Sequence, residues 1–202
     1  EQICVWREAG KKQSFTVPSE GLASVVAATS GPLDKQFTVF LKTSDDDKHH
    51  ILVIDAVNRE VIAACQFATS EGAVCIRAGR DAIAVMHSWT THIRVFAFDG
   101  MHLTPVGTAE GLFQKNLQLT GDGRFFAAVQ EDRQLRLLHV VNRTLVERTC
   151  PLPRGLRLAG AGRDNSLVFC GLNKKRTRAR AWLLDITATH VVLHPQEEFG
   201  PD

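Results

Sequence analysis

The sequence lacks both a long hydrophobic run and a strong charge of either sign. No stretch approaches the roughly 18 consecutive apolar residues that a membrane-spanning helix needs. The formal net charge of the 202 residues is only +2 at pH 7, so no overall field favours nucleic acid or a membrane surface. Apolar residues make up 44% and charged residues 23%. These fractions are ordinary for a globular chain and argue against disorder or a coiled coil as the structure of the whole.

Paired cysteines and a targeting segment are also missing. The five cysteines form no Cys-x-x-Cys pair, which argues against a disulfide framework and against a zinc knuckle. We expect buried, reduced thiols in a cytoplasmic protein. The sequence begins at Glu1 without a methionine or a basic-then-apolar signal segment, so we expect that this is not the natural N-terminus. The cysteines are Cys4, Cys65, Cys75, Cys150 and Cys170.

The motifs of the common enzyme classes are absent as well. The sequence contains no Gly-x-Ser-x-Gly, no phosphate-binding Gly-x-x-x-x-Gly-Lys-Ser/Thr, no His-Glu-x-x-His and no dinucleotide fingerprint. His190 and His194 share one face of a predicted strand, but no third ligand is evident. The aspartates at 45–47 lack the glycine and the spaced oxygen ligands of a calcium loop. We therefore predict no catalytic residue, no metal and no cofactor.

Short strand-like segments are what the sequence contains instead. Runs rich in β-branched or aromatic residues, such as 82–86 and 93–96, are bounded by Gly, Asp and Asn. Helical periodicity is nearly absent. Short alternating runs between turn residues are typical of an all-β protein.

One strand pattern recurs at a nearly fixed period. Alternating apolar segments start at 51, 93, 135 and 179, at intervals of 42, 42 and 44 residues, and an earlier copy starts at residue 3. A tight turn recurs in the same phase, at 78–82, 120–125 and 161–165, where Gly with Asp or Asn supplies the backbone conformations that such turns need. A period of about 40–45 residues with four strands each is typical of a β-propeller blade.

The repeats resemble those of the WD40 family over nearly the whole chain. Asp55 stands where the family has an aspartate after its signature tryptophan, and Asp132 stands at the family's turn aspartate before the third strand. No repeat has the family's Gly-His pair, so the resemblance implies blades held by apolar packing rather than by a buried His–Asp network. Alternating apolar residues lead in each copy to a bulky apolar residue at the tryptophan position, namely Trp6, Ile54, Phe96, Leu138 and Trp182.

The resemblance implies an all-β fold, a WD40-like β-propeller with four complete four-stranded blades and a leading half blade. Seven blades are typical of the family, and the leading pair of strands would have an open apolar edge of the kind that proteins normally cover. We therefore expect the chain to be part of a larger propeller of about seven blades. The predicted units are a half blade at 1–18, blades at about 22–66, 73–108, 112–149 and 156–194, and a polar tail at 195–202.

Three segments are candidates for binding a partner, because they fall on the rim that carries the loops between second and third strands. Trp89 lies in the segment 87–92, and Asp46 lies among the three aspartates at 45–47. Tryptophan and arginine are enriched at binding hot spots. Solvated loops are the alternative interpretation, as is packing of Trp89 within its own loop, and the basic segment also suits phosphate groups. The candidates in the basic segment 173–180 are Lys174, Lys175, Arg176 and Arg178.

The leading hypothesis is a non-catalytic protein–protein interaction scaffold, part of a larger protein or multi-subunit assembly, whose partners are other proteins. A propeller enzyme, hydrolase-like with a metal in the central channel, is one alternative. It would need acidic or histidine residues at the channel ends of the first strands, where the sequence offers apolar residues and Gln118. A polyanion- or RNA-binding propeller using the basic segment is the other. It would lose affinity steeply with salt, and the balanced net charge argues against it as the main role.

Overall fold

Every secondary-structure element that the computed structural model describes is a β-strand. The described residues are 2–6, 12–16, 23–32, 35–43, 48–68, 73–87, 91–172, 179–186 and 191–199. Within those ranges, no helix has the length and apolar character needed to cross a membrane.

The strands form one leading hairpin and four antiparallel sheets of four strands. The hairpin pairs β1 (Gln2–Trp6) with β2 (Lys12–Thr16). In each sheet the strands lie in chain order, and we name the sheets the first to fourth blades. The first blade contains β3 (Ala23–Ser30), β4 (Gln36–Thr43), β5 (Lys48–Asp55) and β6 (Glu60–Ala68). The second contains β7 (Ala73–Ala78), β8 (Ala82–His87), β9 (His92–Phe98) and β10 (Leu103–Glu110). The third contains β11 (Phe113–Leu119), β12 (Phe126–Gln130), β13 (Gln134–Val141) and β14 (Thr144–Pro151). The fourth contains β15 (Arg157–Ala161), β16 (Ser166–Leu172), β17 (Ala179–Ile186) and β18 (Val191–Phe199).

The blades stand side by side and share one inner side. The first strands are neighbours in the order β3, β7, β11 and β15, while the fourth strands β6, β10 and β14 are neighbours on the outside. This is the radial arrangement of a propeller, and it confirms the fold class predicted from the repeats.

Three apolar clusters fill the junctions between successive blades, because a strand's side chains point alternately to its two faces. In β8, Ile83 and Val85 pack towards the first blade, while Ala84 and Met86 pack towards the third. All six residues of β8 are buried as a result. A strand that is covered on both faces has no polar side, which explains the nearly continuous apolar runs in the sequence.

The recurring sequence pattern maps onto the third strand of each blade. Ile54, Phe96 and Leu138 lie in β5, β9 and β13 and are almost completely buried. Trp6 and Trp182 belong to β1 and β17, but their side chains lie outside the described part of the structure.

The last strand departs from the sequence prediction. Residues 195–199 were expected in a polar tail, yet they continue β18, where Phe199 pairs with Ala179. Strand pairing provides hydrogen-bond partners for the backbone N–H and C=O groups whatever the polarity of the side chains. The polar sequence of 195–199 therefore does not end the strand. The second blade likewise runs to Glu110, two residues past the predicted end at 108.

Candidate interaction surfaces

The blades present two opposite rims. The loop rim carries the connections between second and third strands together with the linkers between blades. The turn rim carries the connections between first and second strands and between third and fourth strands. A binding surface on either rim is supported by strands that the blade junctions hold in place.

All six predicted partner-binding residues lie outside the described residues. Trp89 belongs to 88–90, Asp46 to 44–47, and the basic candidates Lys174, Lys175, Arg176 and Arg178 to 173–178. The described strand ends on either side of these segments lie on the loop rim. The contribution of the six residues to binding therefore stays a prediction.

A pair of histidines forms the base of the loop that contains Trp89. The pairing of Met86 with Ile93 places His87 opposite His92, at the end of the β8–β9 ladder. The two imidazole rings stack with their centroids 4.4 Å apart, and His87 is fully buried. The two strand ends that this loop connects are therefore packed against each other through these rings.

A groove of about 600 Å³ lies beside this base on the loop rim. Leu112 lines it and is 57% exposed. The guanidinium of Arg136 donates to the Glu110 carbonyl oxygen at 3.0 Å, to Gln130 Oε1 at 3.2 Å and to Glu147 Oε2 at 2.8 Å. Arg136 thereby ties the linker after β10 to the third blade. The full lining is Thr91, His92, Arg94, Thr108, Glu110, Gly111 and Leu112.

The turns between first and second strands interlock from blade to blade on the turn rim. The Arg80 amide donates to the Gly123 carbonyl at 2.8 Å, and the Asp122 amide donates to the Asp164 carbonyl at 2.6 Å. A Cβ atom on Gly121 would lie 2.5 Å from the Gly162 carbonyl oxygen. Glycine at this position therefore allows a close approach between neighbouring blades.

The turns between third and fourth strands are organised by aspartates. Asp99 Oδ1 accepts the amides of Met101 and His102 at 3.1 and 2.8 Å, and these bonds hold the pKa of Asp99 below its usual value. Arg143 of the third blade reaches back to Asp99 Oδ2 at 2.8 Å. This ion pair joins the second and third blades on the turn rim.

Asp55 holds the corresponding turn of the first blade. Its Oδ1 accepts the amides of Val57 and Asn58 at 2.6 and 3.1 Å. The backbone amide of Asn58, followed by that of Val57, holds the pKa of Asp55 below its usual value. Asp132 plays a smaller part on the loop rim, where its Oδ1 accepts the Gln134 amide at 3.1 Å.

A larger groove of about 740 Å³ opens on the turn rim across the second, third and fourth blades. Phe125, Val140 and Ile186 contribute apolar surface to it. The His139 ring packs on Phe125 with the centroids 4.9 Å apart. Burial and, to a lesser degree, the Arg148 charge lower the pKa of His139. The charged lining residues are Arg80, Arg124, Arg148, Asp81, Asp122 and Asp164.

Sequence reasoning did not assign this groove, since it interpreted the recurring turns only as turns. A signal was available, because each turn from the second blade to the fourth carries one arginine and one aspartate. The three pairs are Arg80 with Asp81, Arg124 with Asp122, and Arg163 with Asp164.

The described ranges contain no cluster of side chains that could hold a metal ion. No group of three or more His, Cys, Asp or Glu residues in those ranges has metal-binding geometry. Burial raises the pKa of the Cys65 and Cys150 thiols, so both favour the unreactive protonated form. The expectation of buried thiols is only partly met, since Cys65, Cys75 and Cys150 are half-buried. Cys170 is exposed, because it lies on the face of β16 opposite to Phe169 and Leu167 of the third junction.

Comparison with known proteins identifies the fold through solved structures. No protein-family profile and no curated protein sequence matches the chain. The structure of KlAtg21 in complex with the coiled coil of AgAtg16 is similar at 15% identity and a TM-score of 0.66. The match covers 100% of this chain and 65% of that one, so this chain spans less than two thirds of its length.

Two further structures place the chain among propellers. The β-propeller domain of Cps50 (Swd1) from Myceliophteria thermophila matches at 16% identity and a TM-score of 0.55, over 87% of this chain and 61% of that one. A putative 6-phosphogluconolactonase from Bacteroides uniformis matches at 12% identity and a TM-score of 0.56, over 100% and 65%. Similarity at these identities establishes the fold, and the fold is a WD40-like β-propeller.

Proposed function

Because the chain has a WD40-like propeller fold, we propose that it is a non-catalytic protein–protein interaction scaffold within a larger propeller or a multi-subunit assembly. The proposal extends to a cytoplasmic location and to partners that are other protein subunits.

The observation that carries this proposal is the locking of each blade to the next. Backbone hydrogen bonds join the turns of three successive blades, and an apolar cluster fills each blade junction. Surfaces built on such a frame keep one geometry before and after binding. Association then costs little conformational entropy, which is the property that a scaffold needs.

Two similar structures support a protein partner. One contains KlAtg21 with the coiled coil of AgAtg16. The other is the mitotic checkpoint complex, which matches at 11% identity and a TM-score of 0.53 over 100% of this chain and 72% of that one. These are properties of those proteins, and for this chain they support the choice of an interaction role over catalysis.

On the loop rim, we assign partner contacts to Trp89, to Asp46 and to the basic candidates in 173–178. The exposed Leu112 lines the loop-rim groove together with Thr91 and His92, the described residues that follow Trp89 in the sequence. An apolar centre with charged residues around it is the usual anatomy of a protein interface.

Chemical cross-linking of the native, full-length protein followed by mass spectrometry tests the proposal. We expect cross-links to defined partner proteins, and binding of each purified partner that weakens in Trp89→Ala. Val192→Ala is the control, because Val192 is an exposed apolar residue, at 45%, that belongs to neither the loop-rim candidates nor the turn-rim groove. Absence of any partner in the cross-linked protein would contradict the scaffold role.

The same experiment series separates the two alternatives. The lactonase-like neighbour makes 6-phosphogluconolactone hydrolysis the activity to assay, and turnover by the purified full-length protein would replace the scaffold proposal. A polyanion role would appear as RNA binding that falls steeply between about 50 and 200 mM salt and is lost when the basic candidates are changed to alanine.

A further inference from the structure

Three successive turns on the turn rim carry charges of both signs in a fixed row. Each turn contributes one arginine and one aspartate, and backbone hydrogen bonds from Arg80 to Gly123 and from Asp122 to Asp164 hold the turns at set distances. The Asp122 carboxylate accepts the Thr120 hydroxyl at 2.6 Å and the Arg124 amide at 3.1 Å. The backbone of these turns and the Asp122 carboxylate are therefore held in place before a partner binds.

Three of the exposed apolar side chains of the described residues lie on this rim, one in each of the first three blades. Val57, Met101 and Val141 lie in or beside the turns between third and fourth strands, and they are 58%, 72% and 44% exposed. Leu112 and Val192 are the other two large hydrophobic residues exposed in the described part of the chain. Of these residues, Val141 lines the groove, so it adds exposed apolar surface beside the charged turns.

We propose that the turn-rim groove docks an extended peptide segment of a partner protein, with an apolar residue on the groove floor and residues of both charge signs beside it. The proposal rests on the scaffold function, but it assigns a second surface opposite to the loop rim.

The charge balance of the groove selects this chemistry. Three arginines and three aspartates line it, so a polyanion would meet as many repulsive groups as attractive ones. Arg124 and Asp122 pair with each other at 3.7 Å, a long distance for an ion pair, and a peptide with acidic and basic side chains complements groups of both signs, which supplies specificity. The apolar floor, which includes Phe125 and Val140, provides the desolvated centre that interface hot spots require.

Selection of a phage-displayed random dodecapeptide library on the purified full chain tests the proposal. We expect selected peptides to share an apolar residue flanked by one acidic and one basic residue. Arg80→Asp, Arg124→Asp and Val141→Asp are each expected to weaken binding of the corresponding synthetic peptide by about tenfold or more. Arg154→Asp and Leu112→Asp are the matched controls on the loop side, since both residues are exposed, and they are expected to leave affinity unchanged.

The decisive experiment exchanges the charges of Arg124 and of the peptide residue that contacts it. If Arg124 contacts an acidic peptide residue, a peptide with lysine at that position should bind Arg124→Asp better than it binds the original protein. This rescue distinguishes direct contact from a general loss of folding in the variant.

Three results would overturn the inference. These are selected peptides of one charge sign only, peptides whose binding is lost in Leu112→Asp but not in the groove variants, and a selection without any enrichment. None of them refutes the scaffold function by itself, because cross-linking of the native protein tests that function separately. Conversely, a protein without partners in the cross-linking experiment would refute the scaffold function even if the groove bound peptides.

Discussion

The two rims of this propeller are joined across blades in different ways. On the turn rim, short turns contact each other through backbone atoms, as between Arg80 and Gly123, and glycines permit the approach. The Arg143–Asp99 ion pair adds a side-chain contact between the second and third blades on the same rim. On the loop rim, the hydrogen bond from Arg136 to the Glu110 carbonyl oxygen joins these two blades through a side chain, and no backbone bond between blades accompanies it among the described residues. Backbone contacts leave no space for a larger residue, whereas a side-chain contact can be replaced or rearranged. The difference suggests that the turn rim sets the blade spacing and that the loop rim tolerates variation.

The largest effect should come from adding a methyl group to the interlocked turns. In Gly121→Ala the new Cβ atom would lie 2.5 Å from the Gly162 carbonyl oxygen and 3.0 Å from the Asp164 amide nitrogen. Both neighbours are backbone atoms of the next blade, so relief requires movement of the blade. We expect a loss of about 2–3 kcal/mol in unfolding free energy, measured by urea denaturation. Gly160→Ala is the control, because no atom lies within 4 Å of its Cβ position; equal losses in the two variants would remove the distinction between the rims.

Removal of the Arg136 hydrogen bonds on the loop rim should lower the unfolding free energy less than Gly121→Ala does. Arg136→Met keeps the apolar stem but loses the bonds to Glu110, Gln130 and Glu147. We expect a loss of about 1–2 kcal/mol, since the acceptors regain water only in part. Arg124→Met is the comparison, because its ion pair with Asp122 is long, at 3.7 Å, and its side chain is 63% exposed. A loss above that of Gly121→Ala would show that the loop rim, and not the turn rim, sets the blade spacing.

His139, which lines the turn-rim groove, should make the stability of the protein depend on pH. Burial, with a smaller contribution from Arg148, lowers the pKa of His139 below its usual 6.5. The unfolded chain therefore takes up this proton first as pH falls. The stabilisation is present in full above about pH 6.5 and is lost as pH falls through the lower pKa of the folded state. Urea midpoints between pH 8 and 5 should decline less in His139→Gln than in the original protein, and parallel declines would contradict the assignment.

The smallest effect should arise at the aspartates of the turns between third and fourth strands. The pKa values of Asp55 and Asp99 are lowered by backbone amides, so their stabilisation is present above the unfolded value of about 3.8 and is lost as pH falls through the lower folded values. Exposure keeps the effect small. Asp99→Asn should raise the acid-unfolding midpoint more than Asp55→Asn, because Asp99 also binds Arg143. The reverse order in circular dichroism titrations would show that this ion pair between blades contributes nothing.

The third strands show how much of the fold could be predicted from sequence. Phe96 and Leu138 stand 42 residues apart in alternating apolar runs, and both are buried. Alternation and turn chemistry are local properties, so strands and their order follow from short stretches of sequence. The end of the fourth blade could not be predicted in this way, because residues 195–199 pair through their backbone with β17 despite their polarity.

The candidate surfaces were less predictable for a related reason. The loop-rim candidates follow from their position in the repeat and from residue type. The turn-rim groove does not follow from sequence, because Arg80 and Asp164 lie in recurring tight turns whose glycine and aspartate residues are explained by the turn conformation alone. Only their position across three blades brings these residues to one groove. The lowered pKa of His139 was not evident from sequence for another reason, since it depends on burial and on Arg148 of the adjacent strand in the same blade.

The sequence by itself determined the all-β class, the repeat of about 42 residues and the four-strand composition of each blade, because these depend on side-chain alternation and turn residues within one repeat. The tertiary structure decided which turns interlock, where a groove opens and which carboxylates and imidazole have altered pKa values. The interlocked turns and the groove depend on contacts between residues of different blades, such as the bond from Asp122 to Asp164, whereas the pKa changes depend on burial and on hydrogen bonds within a blade. The geometry of the turns and the groove is set by how the apolar blade junctions pack, and packing at a junction involves both blades at once.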